Sequence, residues 1–162
     1  MSKIKLSILL LTSFFIFSCT NNQANHSNQK YSIAYIGGAY DGLLLKNYLM
    51  SGLKNLKIYD QNSNFEIKAD ISHSKNLYIT NIDNTSDREK INTKLSIKII
   101  NEESNCIVFN DIINVSQFYI YASSDKFVSN QAAVKKIKKA NTDSVVRQFI
   151  NQTKKIDGQC ID

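Results

Sequence analysis

Few side chains in this sequence could carry out acid–base or nucleophilic chemistry. Histidine occurs at two positions, His26 and His73, and no His/Cys spacing resembles a zinc site. The Gly-x-Ser-x-Gly pattern of a nucleophile elbow does not occur in the sequence. Asp70 and His73 are close enough in the chain to form a general-base pair, although a solvated turn is the interpretation that the neighbouring polar residues favour. We therefore expect a protein that is not an enzyme and that needs no metal and no cofactor.

Cys19 is the cysteine with the clearest expected chemistry, because it follows a segment organised as a secretory signal. Lys3 and Lys5 precede an apolar run of about 12 residues, which is too short to span a bilayer since a spanning helix needs roughly 20. The tetrapeptide Ile-Phe-Ser-Cys at positions 16–19 resembles a lipobox, the site at which bacterial lipoproteins are acylated and cut. This resemblance implies that residues 1–18 are removed and that Cys19 carries a covalent lipid. Two or more acyl chains anchor a protein stably.

The residues around Cys19 also indicate where the protein resides and how the chain is divided. Thr20 stands where Asp is the usual inner-membrane retention signal, so we expect a lipid-anchored protein of the outer membrane of a Gram-negative bacterium. Residues 20–30 hold one alanine and no larger apolar side chain, so residues 19–30, with His26, should form a flexible tether. Residues 31–162 then form one domain. An ordinary signal peptide in which Cys19 is incidental is the alternative.

Two cysteines remain for the folded domain, Cys106 and Cys160. Outside the cytoplasm such a pair can form a disulfide, which would attach the C-terminal tail to the sheet. The alternative is two unpaired thiols, one buried and one on a loose tail. The sequence leaves both arrangements open.

The net charge of the chain is +6, from 20 basic and 14 acidic residues. Removal of a signal that contains two lysines lowers the excess to +4, which does not indicate a nucleic-acid partner and is compatible with anionic lipid head groups. Four of the basic residues form one run, at Lys135, Lys136, Lys138 and Lys139. This run predicts either a solvated helix face or a patch that contacts phosphate groups.

The pattern of apolar residues predicts a strand, a helix and then several strands. A short β-rich run covers residues 31–36, in which Tyr31 and Tyr35 are expected to share a face, and Asp41 is a suitable N-cap for the helix that follows. From Phe65 apolar and polar residues alternate with a period of two, which predicts a strand. A polar stretch at residues 73–76 is expected to interrupt that strand. The strands expected around residues 95–99 and 107–121 complete an antiparallel meander, with a bulge expected at positions 110–111.

The last element is expected to be a helix that Ser129 or Asp125 could cap. Its apolar stripe would comprise Ala133, Ile137, Ala140, Val145, Phe149 and Ile150. The order of elements is thus β-α-β-β-β-α, which predicts an α+β fold. Two helices should pack on one face of a mostly antiparallel sheet of four or slightly more strands.

With this layout, the chain resembles the LptE family, from Tyr31 to about Lys155. The matching features are the Tyr-Ser-Ile-Ala-Tyr-Ile strand at 31–36, the helix with Leu45, Leu49 and Leu53, and the Ser-Asn-Gln-Ala-Ala segment at 129–133 that opens the final helix. In that family, the α+β domain sits inside the lumen of the large LptD β-barrel, helps it fold, and takes part in delivering lipopolysaccharide to the cell surface.

The resemblance implies an LptD-like outer-membrane barrel and lipopolysaccharide as partners, attachment to the membrane through the lipid, and no nucleic acid. Family members bind lipopolysaccharide through basic side chains, which makes Lys135, Lys136, Lys138 and Lys139 the candidate phosphate contacts here. The alternative function is that of an unrelated small envelope lipoprotein acting as a ligand-binding or scaffold module.

Overall fold

The computed structural model describes residues 29–79, 87–120 and 127–161. The elements are β1 (Ser32–Gly37), α1 (Ala39–Asn55), β2 (Phe65–Ile79), β3 (Asp87–Asn101), β4 (Cys106–Ile120) and α2 (Phe127–Thr153). The expected order and the α+β class are confirmed. The expected signal, Cys19 and residues 20–28 of the tether lie outside the described residues. Within the described ranges, neither helix is long and apolar enough to cross a membrane.

The four strands form one sheet in the order β1-β2-β3-β4. β1 pairs with β2 in parallel, whereas β2 with β3 and β3 with β4 are antiparallel. A parallel pair needs a crossover connection, and α1 supplies it between β1 and β2. The sheet is therefore mixed but mostly antiparallel. The three long strands have 15 residues each, a length of roughly 50 Å at about 3.3 Å per residue.

Both helices pack on the same face of the sheet, here called the covered face. Its buried residues in β2 and β3 alternate with outward ones, as the period of two predicts. The buried sheet residues are Ile67, Ala69, Ile71, Ile91, Leu95, Ile97 and Ile99, and the helices cover them with Leu45, Leu49 and Leu53 of α1 and Val145, Val146 and Phe149 of α2. Burial of these side chains is the main source of stability of the domain.

Helix α1 begins differently from the expectation. Gly38 is the N-cap residue, with φ 104°, and no side chain in the described part of the chain caps the helix. Asp41 lies inside the first turn, so its assignment as the N-cap was wrong. A Cβ atom at Gly38 would lie 2.6 Å from the carbonyl oxygen of Ile71, and a left-handed φ disfavours any residue with a side chain. The chain thus uses glycine where β1 turns directly into α1.

The polar stretch at residues 73–76 does not interrupt the sheet. β2 runs through it, and His73 pairs with Thr93 and Lys75 with Ile91 in regular register. The predicted break was therefore wrong. The polar residues keep the alternation of the strand, so every second one points away from the covered face.

Two bulges explain why other residues lie on unexpected faces. In β1 the register shifts between Ile33 and Tyr35, so Tyr31 is buried and Tyr35 is exposed, and the two tyrosines do not share a face. In β4 the partners of Ile99 and Ile100 are Phe109 and Ile107, which leaves Val108 as the extra residue. The bulge expected at positions 110–111 is thus located nearer the start of β4.

The final helix has a more polar buried stripe than the sequence suggested. Its buried residues are Asn130, Asn141, Thr142, Val145, Val146, Phe149 and Thr153. Ala140 is exposed, contrary to the expectation, while Val145 and Phe149 are buried as expected. Ser129 lies inside the helix rather than at its cap, and Asp125 lies outside the described residues.

Candidate functional site

The four candidate lysines lie on the first half of α2, and the structure places them at different positions around one cleft. Lys135 and Lys138 line a cavity of about 770 Å³, and together with Lys139 they line an adjacent cavity of about 260 Å³. Lys136 lines neither of these two cavities and is exposed. The sequence pattern thus grouped four residues of which three face a common space. We call the two cavities together the helix cleft.

The helix cleft lies between the start of α1, the first half of α2 and the covered face near residues 75, 89 and 119. Its apolar wall comprises Tyr40, Tyr119, Phe127, Val128, Ala132 and Val134. Tyr40, Phe127 and Val128 are exposed, which is unusual for large apolar side chains clustered at one place. A cleft with an apolar wall and a few charged groups suits a ligand that is itself part apolar and part charged.

Two ion pairs neutralise some of the charges in the helix cleft. The Lys75 ammonium lies 3.1 Å from Glu89, and the Lys138 ammonium lies 3.4 Å from the Asp41 Oδ2 atom. Within the described ranges, Lys135 and Lys139 form no ion pair. The cleft therefore offers two unneutralised ammonium groups and a third that is shared with a carboxylate.

A buried polar cluster lies between the covered face and α2, near the same ion pair. The Asn141 Nδ2 group donates to the Ile91 carbonyl at 3.3 Å and to Thr93 Oγ1 at 3.1 Å, while Thr93 Oγ1 lies 2.7 Å from His73 Nδ1. The Thr93 hydroxyl, which accepts from Asn141, still has its own hydrogen and a second lone pair, so the tautomer of the ring decides whether His73 Nδ1 donates or accepts.

The Nε2 atom of His73 points towards Asp41 without reaching it. The His73 side chain is 1% exposed, and its Nε2 lies 3.8 Å from the same Asp41 Oδ2 that pairs with Lys138. That nitrogen is buried, and the described residues offer it no hydrogen-bond partner. Asp70, the partner that the sequence suggested, is exposed on the opposite face of the sheet, because residues an odd number apart in a strand point to opposite faces. The suggested general-base pair of Asp70 and His73 was wrong.

Sequence patterns did not indicate Thr93 and Asp41 as neighbours of His73, nor Asn141 as a donor to Thr93. A signal for two of the cluster residues was present: His73 and Thr93 occupy positions of the buried alternation that runs through Ile71 and Leu95. A polar residue at such a position needs a buried partner. The pairing with Asp41 depends on how α1 lies on the sheet, which no local pattern indicates. The described ranges contain no cluster of three or more His, Cys, Asp or Glu residues that could hold a metal ion.

Burial lowers the pKa of His73 below 6.5; the Asp41 carboxylate opposes this shift and Lys138 adds to it. Below about pH 6.5 the unfolded chain therefore takes up a proton that the folded protein does not. We expect the free energy of unfolding to decrease as the pH falls from 7 towards 5, by at most about 1.4 kcal/mol per pH unit from this residue.

Urea denaturation at several pH values checks this expectation. His73→Gln, which cannot titrate, should show a smaller decrease between pH 7 and pH 5 than the unsubstituted protein. An equal decrease in both proteins would assign the effect to other groups. His26 is present in both chains and cancels in the comparison.

The Cys106–Cys160 disulfide is present in the structure, with the Cα atoms 5.7 Å apart. Beside it, the Ile161 amide donates to the Ile107 carbonyl at 2.8 Å. The C-terminal tail is therefore attached to the start of β4, next to the end of the sheet where the chain leads from Lys30 into β1. At that end Tyr31 bridges to Tyr59, and Lys30 pairs with Asp60 at 3.5 Å.

The second face of the sheet, here called the open face, is uncovered by either described helix. It carries mainly polar residues, of which Lys94, Lys98, Asn110, Asn114 and Ser116 are exposed. Ile112 and Ile120 are large apolar residues exposed on the same face. The Lys90 ammonium lies 5.5 Å from the centre of the Phe118 ring, in cation–π range. The open face is therefore polar and slightly basic, with exposed apolar side chains at Ile112, Phe118 and Ile120.

Comparison with known proteins places this fold among bacterial lipoproteins. No family model matches the chain, and no curated protein matches it. A minor lipoprotein from Acinetobacter baumannii is similar in structure, with a TM-score of 0.59 and 15% identity over 79% of this chain and 92% of that chain.

Two further solved structures are similar. They are a putative lipoprotein from Caulobacter crescentus (TM-score 0.54, 14% identity, 77% of this chain and 88% of that chain) and the rare lipoprotein B from Shewanella oneidensis (TM-score 0.54, 8% identity, 76% of this chain and 96% of that chain). At these identities the likeness is one of fold. The chain therefore has a fold that recurs in small lipoproteins of Gram-negative bacteria.

Proposed function

We propose that this protein is anchored in the outer membrane through a lipid on Cys19 and forms a complex with an LptD-like β-barrel. In that complex it assists the assembly of the barrel and the delivery of lipopolysaccharide to the cell surface. The lipobox at residues 16–19, the fold shared with bacterial lipoproteins and the surface of the sheet support this proposal.

The open face is the observation that carries the proposal. Three strands of roughly 50 Å expose a polar surface that no described helix covers. The interior of a large barrel is also polar, so a domain that fills it needs polar rather than apolar outer surfaces. The exposed residues Ile112, Phe118 and Ile120 supply apolar contacts within this surface.

The position of the tether is compatible with such a complex. Lys30, the last tether residue, lies at the end of the sheet that holds Tyr31 and the disulfide. The helix cleft begins near Lys75, about nine residues further along β2 than the pairing of Ser32 with Glu66, which is about 30 Å. Lys30 and the helix cleft thus lie at opposite ends of the domain.

Co-purification tests the proposal. Mature protein extracted from membranes in mild detergent should bring with it an outer-membrane barrel in a ratio near one to one. Ile112→Asp, which places a charge in the open face, should reduce the recovered barrel, whereas Gln148→Ala on the exposed side of α2 should not. Recovery of the unsubstituted protein alone would contradict the proposal.

The helix cleft favours a second function, that of a ligand-binding module independent of any barrel. Its volume falls within the range of pockets that hold small molecules. A protein recovered without a barrel but with a bound amphiphile, detected by mass spectrometry of the extracted lipids, would favour this second function.

A further inference from the structure

One carboxylate oxygen in the helix cleft faces two basic groups from two different elements. Asp41 Oδ2, on α1, lies 3.4 Å from the Lys138 ammonium of α2 and 3.8 Å from His73 Nε2 of β2. Asp41 and Lys138 line both cavities of the cleft, whereas His73 is buried beneath them. The protonation state of the buried His73 can therefore alter how far Asp41 neutralises Lys138 in the cleft.

Hydrogen bonds hold the Nδ1 side of the His73 ring, so that the Nε2 side faces Asp41. Thr93 and Asn141 hold Nδ1 through the hydrogen bonds described above. The ring therefore cannot rotate away from Asp41 without leaving two buried polar groups unpaired, which is costly. Among the described residues, Nε2 has no hydrogen-bond partner. Both nitrogens of a protonated ring carry a hydrogen, so the cation presents an N–H group towards Asp41 from either tautomer and gains an attraction to the carboxylate that the neutral ring lacks.

The other groups that face this position do not compete for it. On β3 the covered face carries the charged residue Glu89, which is engaged by Lys75 of β2 at 3.1 Å. From α2 the neighbours are Lys138 and the uncharged Asn141, and α1 contributes Asp41. When His73 is protonated, one carboxylate is shared by two cations, and the charge of Lys138 is no longer neutralised.

We infer that Lys138 and Lys135 form a binding position for a sulfate or phosphate ester in the helix cleft, and that proton uptake by His73 strengthens binding there. The inference rests on the proposed role of the lysines as phosphate contacts. It adds where in the cleft the anion binds and how its affinity depends on pH. The apolar wall formed by Tyr40, Phe127 and Val128 adjoins the position, so the ligand class is an anionic ester with an apolar chain.

The proton and the anion must affect each other equally, because coupling between two binding events is reciprocal. Acidification should strengthen anion binding, and a bound anion should raise the pKa of His73. Burial acts in the other direction and lowers the pKa of His73. The change is therefore expected below pH 6.5 rather than at neutral pH.

The test uses the mature lipidated protein in an uncharged detergent, with inorganic sulfate and hexyl sulfate as probes. Both probes keep one charge state between pH 5 and pH 8. NMR titration at constant ionic strength should give a dissociation constant that is about three- to tenfold lower at pH 5.5 than at pH 7.5, as one added nearby charge implies. Hexyl sulfate should bind more tightly than sulfate because its chain contacts the apolar wall.

Two variants separate this inference from a general effect of positive charge. His73→Gln should bind with the same affinity at both pH values, and Asp41→Asn should already bind tightly at pH 7.5 because Lys138 has lost its partner. His26→Gln, in the tether, is the matched control and should keep the pH dependence of the unsubstituted protein. An unchanged pH dependence in His73→Gln, or no binding of either probe by the unsubstituted protein, would overturn the inference.

A measurement on the unsubstituted protein guards against variants that fail to fold. The NMR signal of His73 should titrate at a higher pH when hexyl sulfate is present than when it is absent. An unshifted titration would also overturn the inference. Neither result depends on a barrel, so failure of the barrel proposal in co-purification is a separate outcome.

Discussion

Replacing Cys106 and Cys160 together by serine is expected to lower the free energy of unfolding by about 4 kcal/mol. The disulfide joins residues 54 positions apart, and a closed loop of this length restricts the unfolded chain strongly. The bond also holds the tail on which Ile156 is buried and from which Ile161 donates to Ile107. Loss of the bond should therefore raise the conformational entropy of the unfolded chain and also loosen the tail in the folded protein.

Urea denaturation of the oxidised protein and of the double variant measures this loss. Ser104→Ala, in the turn beside Cys106, is the matched control and should change the stability by less than about 0.5 kcal/mol. Hydrogen exchange at the Ile161 amide should be faster in the double variant. A difference below about 1 kcal/mol between the oxidised protein and the double variant would contradict the expected role of the disulfide.

Phe149→Ala is expected to cost about 3 to 5 kcal/mol, because it removes a large side chain from the centre of the core. Phe149 of α2 is 0% exposed, and its ring centre lies 5.7 Å from that of Phe109 in β4. Interaction between aromatic rings adds to the burial of apolar area. The substitution would leave a cavity between α2 and the covered face that rigid strands cannot close.

The neighbouring Gln148→Ala provides the control, since residue 148 is exposed on the same turn of α2. It should leave the urea midpoint nearly unchanged, whereas Phe149→Ala should lower it strongly. Phe149→Leu keeps much of the volume and should give an intermediate loss if the alanine variant does not fold. A loss below about 1 kcal/mol for Phe149→Ala would show that α2 does not pack as described.

The sequence predicted the order of elements and the residues of the sheet core, because the alternation at 65–71 and 95–99 is strict and one-sided. It failed where buried positions hold polar residues. His73 and Thr93 keep the alternation but lack its apolar character, so a continuous strand was expected to break. Asn141 and Thr142 are also polar residues at buried positions, on α2. The predicted apolar stripe therefore did not include them.

The local conformation of the backbone was the second source of error. A bulge after Ile33 moves Tyr35 to the opposite face from Tyr31, and no residue type in β1 indicates it. The tight passage from β1 into α1 also made Gly38 the cap in place of Asp41.

The candidate site depended on tertiary contacts that sequence spacing does not show. The lysine run was recognised, yet the sequence could not indicate that Lys138 meets Asp41, which is 97 positions away. It also could not separate Lys136, on the exposed side of α2, from the three lysines that line the helix cleft. The disulfide was one of two arrangements that the sequence left open, and the folded structure brings the two cysteines together.

The proposed complex is tested most directly by site-specific photo-crosslinking in intact cells. A photoreactive residue at Asn114, on the open face, should give a crosslinked product with an outer-membrane β-barrel, identified by mass spectrometry. The same residue at Gln148, on the exposed side of α2, should give less of that product. Absence of any barrel crosslink from Asn114, in cells where the protein is folded and lipidated, would contradict the proposal that the open face contacts a barrel.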